Sequence, residues 1–200
     1  SDNLEQICLE AVKAAKRHGV TVSLDTNYRS KLWSIDKASR VIGELMRYTD
    51  ICITNPGDIK NLFGIVSDKA DFDLKKPDNE GAASVAEKLM KKYPLKGAAL
   101  TLRTNLSASD NDFGAMLCDG KTAVYSRKYR MHIADRVGGG DAFAAGLIYS
   151  LLKQKEPQEA VEFATAAAVL KHSVEGDFNR VTVSEVESLA GGDGSGRVLR

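Results

Sequence analysis

Hydrophobic positions recur at helical spacing in three places, and each stripe is followed by a short apolar run. Leu4, Ile7, Cys8, Ala11, Val12 and Ala15 form the first stripe, closed by Gly19, and Val20–Leu24 follows it. Ala38, Val41, Ile42, Leu45 and Met46 precede Asp50–Thr54, and Ala82, Val85, Ala86, Leu89 and Met90 precede Gly97–Leu102. Continuous apolar runs suit strands covered on both faces, so the pattern predicts three helix-then-strand units and a mostly parallel sheet flanked by helices. Phe113–Cys118 and Lys121–Ser126 flank Asp119-Gly120, a pair suited to a type I′ turn, which predicts an antiparallel hairpin at the sheet edge. Further helices are expected from near Gly139, from Pro157 to about Lys171, and from Ser184, with Glu187 at capping-box spacing. Val66–Asn79 and the Gly-rich stretch Gly191–Arg200 read as surface segments, the latter mobile at its end. With no internal repeat and no long linker, a single α/β domain over residues 1–200 is expected.

Composition narrows the class of partner. The 200 residues are 43% hydrophobic, enough for one substantial core. With 28 basic and 27 acidic side chains, the net charge of +1 gives no global attraction for nucleic acid or a membrane surface, which leaves a small molecule as the expected partner. Cys8, Cys52 and Cys118 lack metal-ligand spacing, and an odd number is a poor disulfide framework, so they are expected as buried free thiols. No signal peptide opens the chain and no apolar run is long enough to span a bilayer, a pattern that fits the cytoplasm.

The densest chemical signal runs from Ala134 to Leu152, where Gly138, Gly139 and Gly140 with Asp141 stand at the mouth of an apolar helix. Glycines allow backbone N–H groups to converge on one concavity at the positive end of a helix, where an anion is stabilised. Asp141, in the first turn, has its ionised form favoured by the dipole. A carboxylate beside a bound phosphate would only repel it unless it has a proton to remove. Three strand ends also carry polar tips: Asp25-Thr26-Asn27-Tyr28-Arg29, Asn55-Pro56-Gly57-Asp58 and Arg103-Thr104-Asn105. In α/β sheets ligands bind beyond the carboxyl ends of strands, so these tips are expected to face one crevice. No G-x-x-x-x-G-K-[ST] occurs, which excludes a P-loop, and a dinucleotide fingerprint would need glycine where Phe143 stands. His132, His172 and Trp33 read as structural rather than catalytic.

The run Asp135-Arg136-Val137-Gly138-Gly139-Gly140-Asp141 resembles the D-T-x-G-A-G-D signature of the ribokinase-like (PfkB-type) carbohydrate kinases, with Arg136 for the usual Thr and Gly139 for the usual Ala. Together with Asp25–Trp33 and Gly176-Asp177-Phe178-Asn179, it is most similar to the 2-keto-3-deoxygluconate kinase branch, and the resemblance extends over essentially the whole chain. It implies a ribokinase-like three-layer α/β/α fold and ATP-dependent phosphorylation of a sugar hydroxyl with Mg2+. In that reading Asp141 is the base, and Gly138, Gly139 and Gly140 form an anion hole. Arg29, Asp177 and Asp141 bind the sugar acid. Asn27, Thr101, Leu102, Arg103, Ser107, Gly138 and Gly140 meet the nucleotide, and Asn55 and Asp58 act on the metal through water. Fructose or ribose would use the same phosphate machinery, and only Arg29 argues locally for a carboxylate.

Three departures from the family pattern follow. Asn55-Pro56-Gly57-Asp58 replaces the common N-x-x-E, and Arg103-Thr104-Asn105-Leu106-Ser107 lacks the common G-x-x-G. Family members also begin with a further segment that supplies part of the sheet, a β lid and several sugar contacts. The chain is therefore expected to be the carboxyl-terminal, nucleotide-binding portion of such a kinase, poorly active alone, with homo-oligomerisation of the full-length protein left open. A non-catalytic nucleotide-binding module is the alternative from another class.

Overall fold

The computed structural model describes residues 2–192; most of the expected tail Gly191–Arg200 lies outside the described residues. Among the described residues seven helices and six strands follow in the order α1 (Asp2–Arg17), β1 (Ser23–Asp25), α2 (Ile35–Met46), β2 (Ile51–Thr54), α3 (Pro56–Phe63), α4 (Asn79–Lys92), β3 (Gly97–Asn105), β4 (Asp110–Cys118), β5 (Ala123–Tyr125), β6 (Tyr129–His132), α5 (Gly139–Leu152), α6 (Pro157–Lys171) and α7 (Val183–Gly191). The strands run β1-β2-β3-β4-β5 across a mixed sheet, with β6 paired to β4. The chain divides into two compact units, residues 1–102 with 116–123, and residues 103–115 with 124–200.

The first unit is the expected helix-then-strand core. β1, β2 and β3 pair in parallel, with Asp25 opposite Ile53 and Thr54 opposite Leu100; β1 and β2 end together, whereas β3 runs on to Asn105, so Arg103-Thr104-Asn105 is strand rather than the expected tip beyond Leu102. Ala38, Val41, Ile42, Leu45 and Met46 of α2 and Ala82, Val85, Ala86 and Leu89 of α4 are buried, as their spacing predicted. The α1 stripe is different. Leu4 and Ile7 stay open to solvent, because amphipathic periodicity fixes a helix but not a cover for it. Asp50 is buried and takes bonds from Lys16 at 2.7 Å, from the Val22 amide at 3.0 Å and, as an ion pair, from Lys96 at 3.1 Å. Burial works against its charge, but these donors outweigh it and draw its pKa down to about 2.

Sequence expectation and structure part at the Asp119-Gly120 turn. Only Gly120 has positive φ, so the turn is not type I′. The Asp119 carboxylate instead accepts the Lys121 and Thr122 amides at 2.9 and 2.8 Å, an Asx turn that fixes a longer loop.

In the second unit β4 runs antiparallel to β6, from Asp110 opposite His132 to Phe113 opposite Tyr129. Helices α5 and α6 approach at backbone distance: a Cβ on Gly146 would stand 3.0 Å from Ala164 Cα and 3.2 Å from Ala167 Cβ. α7 is opened by Thr182 and Glu185 in a complete capping box, two residues before the expected Ser184 and Glu187. The shift places Val186 in the cluster with Phe163, Ala166 and Ala167. Among the described residues no helix is long and apolar enough to cross a membrane. Cys52 and Cys118 are buried free thiols, whereas Cys8 is only half-buried.

Candidate functional site

In the first unit the ends of β1 and β2 and the adjoining middle of β3 are knitted together by hydroxyls. Thr26 and Thr54 share a buried hydrogen bond of 2.9 Å, Thr26 Oγ1 donates to Asp58 Oδ2 at 3.1 Å, and Thr101 Oγ1 donates to the Thr54 carbonyl at 3.4 Å. Asn55 caps α3 by accepting the Asp58 amide at 2.9 Å, and Pro56 follows at the first helical position, where its missing N–H costs nothing. Asp58 also accepts the Tyr28 amide at 3.4 Å. Burial raises its pKa above the ordinary carboxylate value, against the pull of the Thr26 and Tyr28 bonds and the Arg29 charge.

Two residues past β1, Asn27 adopts φ +34°, with its amide bonded to the Asp25 carboxylate at 3.1 Å. A non-glycine residue in the left-handed region is costly and persists where the surroundings impose it, often at functional positions. Arg29 is exposed beside it and spends one N–H on the Tyr28 carbonyl at 3.1 Å. Asn27, Arg29, Asn55, Asp58, Thr101 and the buried Leu102 thus all belong to one unit.

In the second unit the three glycines play different parts. Gly138 is the N-cap of α5 with φ +80°, and a Cβ on it would meet the Asp177 carbonyl at 2.7 Å and Lys171 Cε at 3.1 Å. A Cβ on Gly139 would overlap the His172 ring, whereas one on Gly140 would meet nothing within 4 Å. Only the first two are therefore required by the protein's own packing. No side chain caps α5, and Gly138 O accepts from the Ala142 amide at 2.8 Å, so the N–H groups before Ala142 have no intrahelical acceptor. Asp141 stands exposed in that first turn.

The turn is held from beneath. Asp135 accepts the Val137 and Gly176 amides, each at 3.0 Å, and these bonds with the Lys171 charge hold its pKa below the ordinary value. His172 is buried; its Nδ1 lies 2.6 Å from the Ala168 carbonyl and its ring beside Phe113. Burial lowers its pKa, the Ala168 bond opposes that, and the charges of Arg103, Lys171 and Arg136 add to the lowering. A neutral, packed imidazole matches its structural reading. His132 lies exposed, 2.9 Å from Asp110. Ser107 is engaged within its own loop, donating to Asp110 at 2.7 Å and accepting the Asp110 amide at 2.9 Å. Asp177 is exposed next to Gly138.

Sequence reasoning missed Thr26 and Thr54, whose hydroxyls bind the strand ends together, and Lys171, buried under the turn. A Thr at the same place in two strand tips was a usable signal. Nothing in the local pattern around Lys171 marked it.

Comparison with known proteins adds a name to this geometry. Residues 1–182 match the pfkB family carbohydrate kinase. Among curated proteins, the chain is 27% identical over 194 residues to the 2-dehydro-3-deoxygalactonokinase of Haloferax volcanii, covering 96% of this chain and 54% of that protein. Among solved structures, it is similar to a 2-dehydro-3-deoxygluconokinase from Thermotoga maritima, with TM-score 0.87 and 40% identity over 94% of this chain and 56% of that one. A PfkB family carbohydrate kinase from Listeria grayi gives TM-score 0.84 and 33% identity over 96% of this chain and 56% of that one. The chain thus spans about half the length of the relatives that it matches.

Proposed function

The chain belongs to the pfkB family of carbohydrate kinases, and on that premise we propose that the protein transfers the terminal phosphoryl group of ATP to a hydroxyl of a sugar acid, with 2-keto-3-deoxygluconate as the leading acceptor. One observation carries the reading. An uncapped helix start presents its amides beside an exposed carboxylate, and its second residue, Gly140, is a glycine with no packing reason to be one. Room beyond Gly140 is what the close approach of a phosphate requires.

Phosphoryl transfer needs positioning and charge stabilisation above all. The amides at the start of α5 stabilise negative charge on the transferring group, and Asp141 accepts the proton of the acceptor hydroxyl as its oxygen bonds to phosphorus and ADP leaves. Arg29 takes the substrate carboxylate with its planar fork and Asp177 the sugar hydroxyls, while Asn27, Thr101–Arg103 and Ser107 serve the nucleotide. Among the described residues no group of three or more metal-ligating side chains occurs. Asp58 and Asn55 would hold Mg2+ through water together with the substrate phosphates, since this ion uses one or two carboxylates and keeps several waters. When bound it supplies neutralising charge to the phosphates.

The names of the two relatives described as deoxysugar-acid kinases favour a keto-deoxy acid over fructose or ribose. A coupled ADP-release assay of the complete protein with ATP and each of the three acceptors tests this, and the expected order in kcat/KM puts 2-keto-3-deoxygluconate first. Preference for fructose or ribose would overturn the acceptor. ATP binding without turnover on any sugar would favour the nucleotide-binding module.

A further inference from the structure

Arg136 occupies a position where the resembling signature has threonine, and the second unit gives it a defined posture. Its Nη2 donates to the Ala108 carbonyl at 2.6 Å, which tethers the guanidinium to the loop between β3 and β4 and leaves its remaining N–H groups available. Arg103, exposed in β3, has its pKa lowered by lost hydration and by the neighbouring Arg136 charge. Lys171 is wholly buried; it donates to the Val174 carbonyl at 3.1 Å, and its Cε lies 3.1 Å from where a Gly138 Cβ would be.

None of these three cations has a carboxylate within ion-pair range among the described residues. The acidic groups nearby are committed or exposed. Asp135 holds two backbone amides, Asp110 holds Ser107 and His132, Asp112 pairs with Arg130, and Asp141 and Asp177 face solvent. Lys171 acts on Asp135 through its charge, but three gathered cations with one such carboxylate between them still repel one another. An anion of two or more charges relieves that repulsion.

We propose that Arg136, with Arg103, grips the polyphosphate of the nucleotide at the start of α5. The inference rests on the kinase reading above and adds to it a residue that takes the place of a neutral hydroxyl. A polyphosphate fits better than the sugar carboxylate because two guanidinium groups, a buried ammonium and an uncapped helix start together exceed the charge of one carboxylate.

Titration calorimetry of the chain with ATP and with inorganic tripolyphosphate tests it, in the unmodified protein, Arg136→Gln, Arg136→Lys and Lys128→Gln. Lys128 is an exposed base of the same unit and serves as the control. Arg136→Gln is expected to weaken both ligands by about tenfold or more, with Arg136→Lys between and Lys128→Gln unchanged. Melting curves check that each variant folds. Where Arg136→Gln does not fold for want of the Ala108 bond, Arg103→Gln, which breaks no hydrogen bond, must show the loss instead. If the unmodified chain binds neither ligand, the nucleotide reading itself fails and this inference with it. If it binds both and the arginine variants bind equally well, the reading stands and the role of Arg136 is overturned.

Discussion

Replacing Gly140 with alanine separates what the fold needs from what the ligand needs. Gly140 is the second residue of α5, and an added Cβ meets no atom within 4 Å. Glycine in a helix is about 0.5–1 kcal/mol less favourable than alanine. Gly140→Ala should therefore stabilise the chain by up to that amount, a rise in Tm of about 1–4 °C for a domain of this size. The same methyl stands in the space before the uncapped amides. Removing one donor from an oxyanion site costs about 10²–10³ in rate, and here the donor is obstructed rather than removed, so a fall in kcat/KM of at least about tenfold is expected. Gly138→Ala and Gly139→Ala form the contrast. The first forces a side chain to φ +80° against the Asp177 carbonyl and the second drives a methyl into His172, so both should lower Tm. Thermal melting of the chain and ADP release by the complete protein read the two effects. A Gly140→Ala protein that melts lower, or one that melts higher at full activity, refutes the reasoning.

Three further outcomes follow from the same geometry. Asp141→Asn preserves shape but removes the basic oxygen, so kcat should fall about 10²–10⁴-fold with ATP affinity nearly unchanged; retained turnover would show that another group takes the proton. Arg29→Lys keeps charge but loses the fork, so KM for the sugar acid should rise while that for ATP holds, and an equal rise in both would move Arg29 to the phosphates. Asp50 has a folded-state pKa of about 2 against an ordinary 3.8, so its contribution is present above about pH 4 and is lost as pH falls toward 2. Its lysine partners are solvent-screened, which limits the contribution to about 1 kcal/mol. Asp50→Asn should be less stable than the parent at pH 7, and the two denaturation curves should converge near pH 2.

How much of this was legible depended on whether local pattern and packing agreed. The stripes on α2 and α4 were readable because periodicity, caps and burial coincide there, and the starts of α5 and α6 because a glycine run and a first-position proline mark them. α3 was missed although Asn55 and Pro56 spell a helix start and Ile59, Leu62 and Phe63 a buried face; the short segment read as a strand tip. At α7 two overlapping capping boxes exist in the sequence, and only the burial of Val186 chooses Thr182. β4 begins at Asp110 rather than Phe113 because β6 pairs with it, a long-range partner that no local pattern announces. In the candidate site, the glycine run and the tips after β1 and β2 were legible as motifs, whereas Arg103-Thr104-Asn105 belongs to β3 itself. Their supports were not, since Thr26 to Thr54 and Lys171 to the Gly138 turn are contacts between segments distant in the chain.

The close seat of Gly146 against Ala164 and Ala167 makes α5 a lever. From Gly146 back to Gly139 is about 10 Å of stiff helix at 1.5 Å per residue, and no flexible side chain cushions the fulcrum. A methyl group added there must displace backbone, and the rigid rod carries that displacement to the glycine turn. Substitutions at mid-helix can thus misaim the site without touching any group that performs chemistry, which confines change on this face of α5 and α6 to the smallest residues.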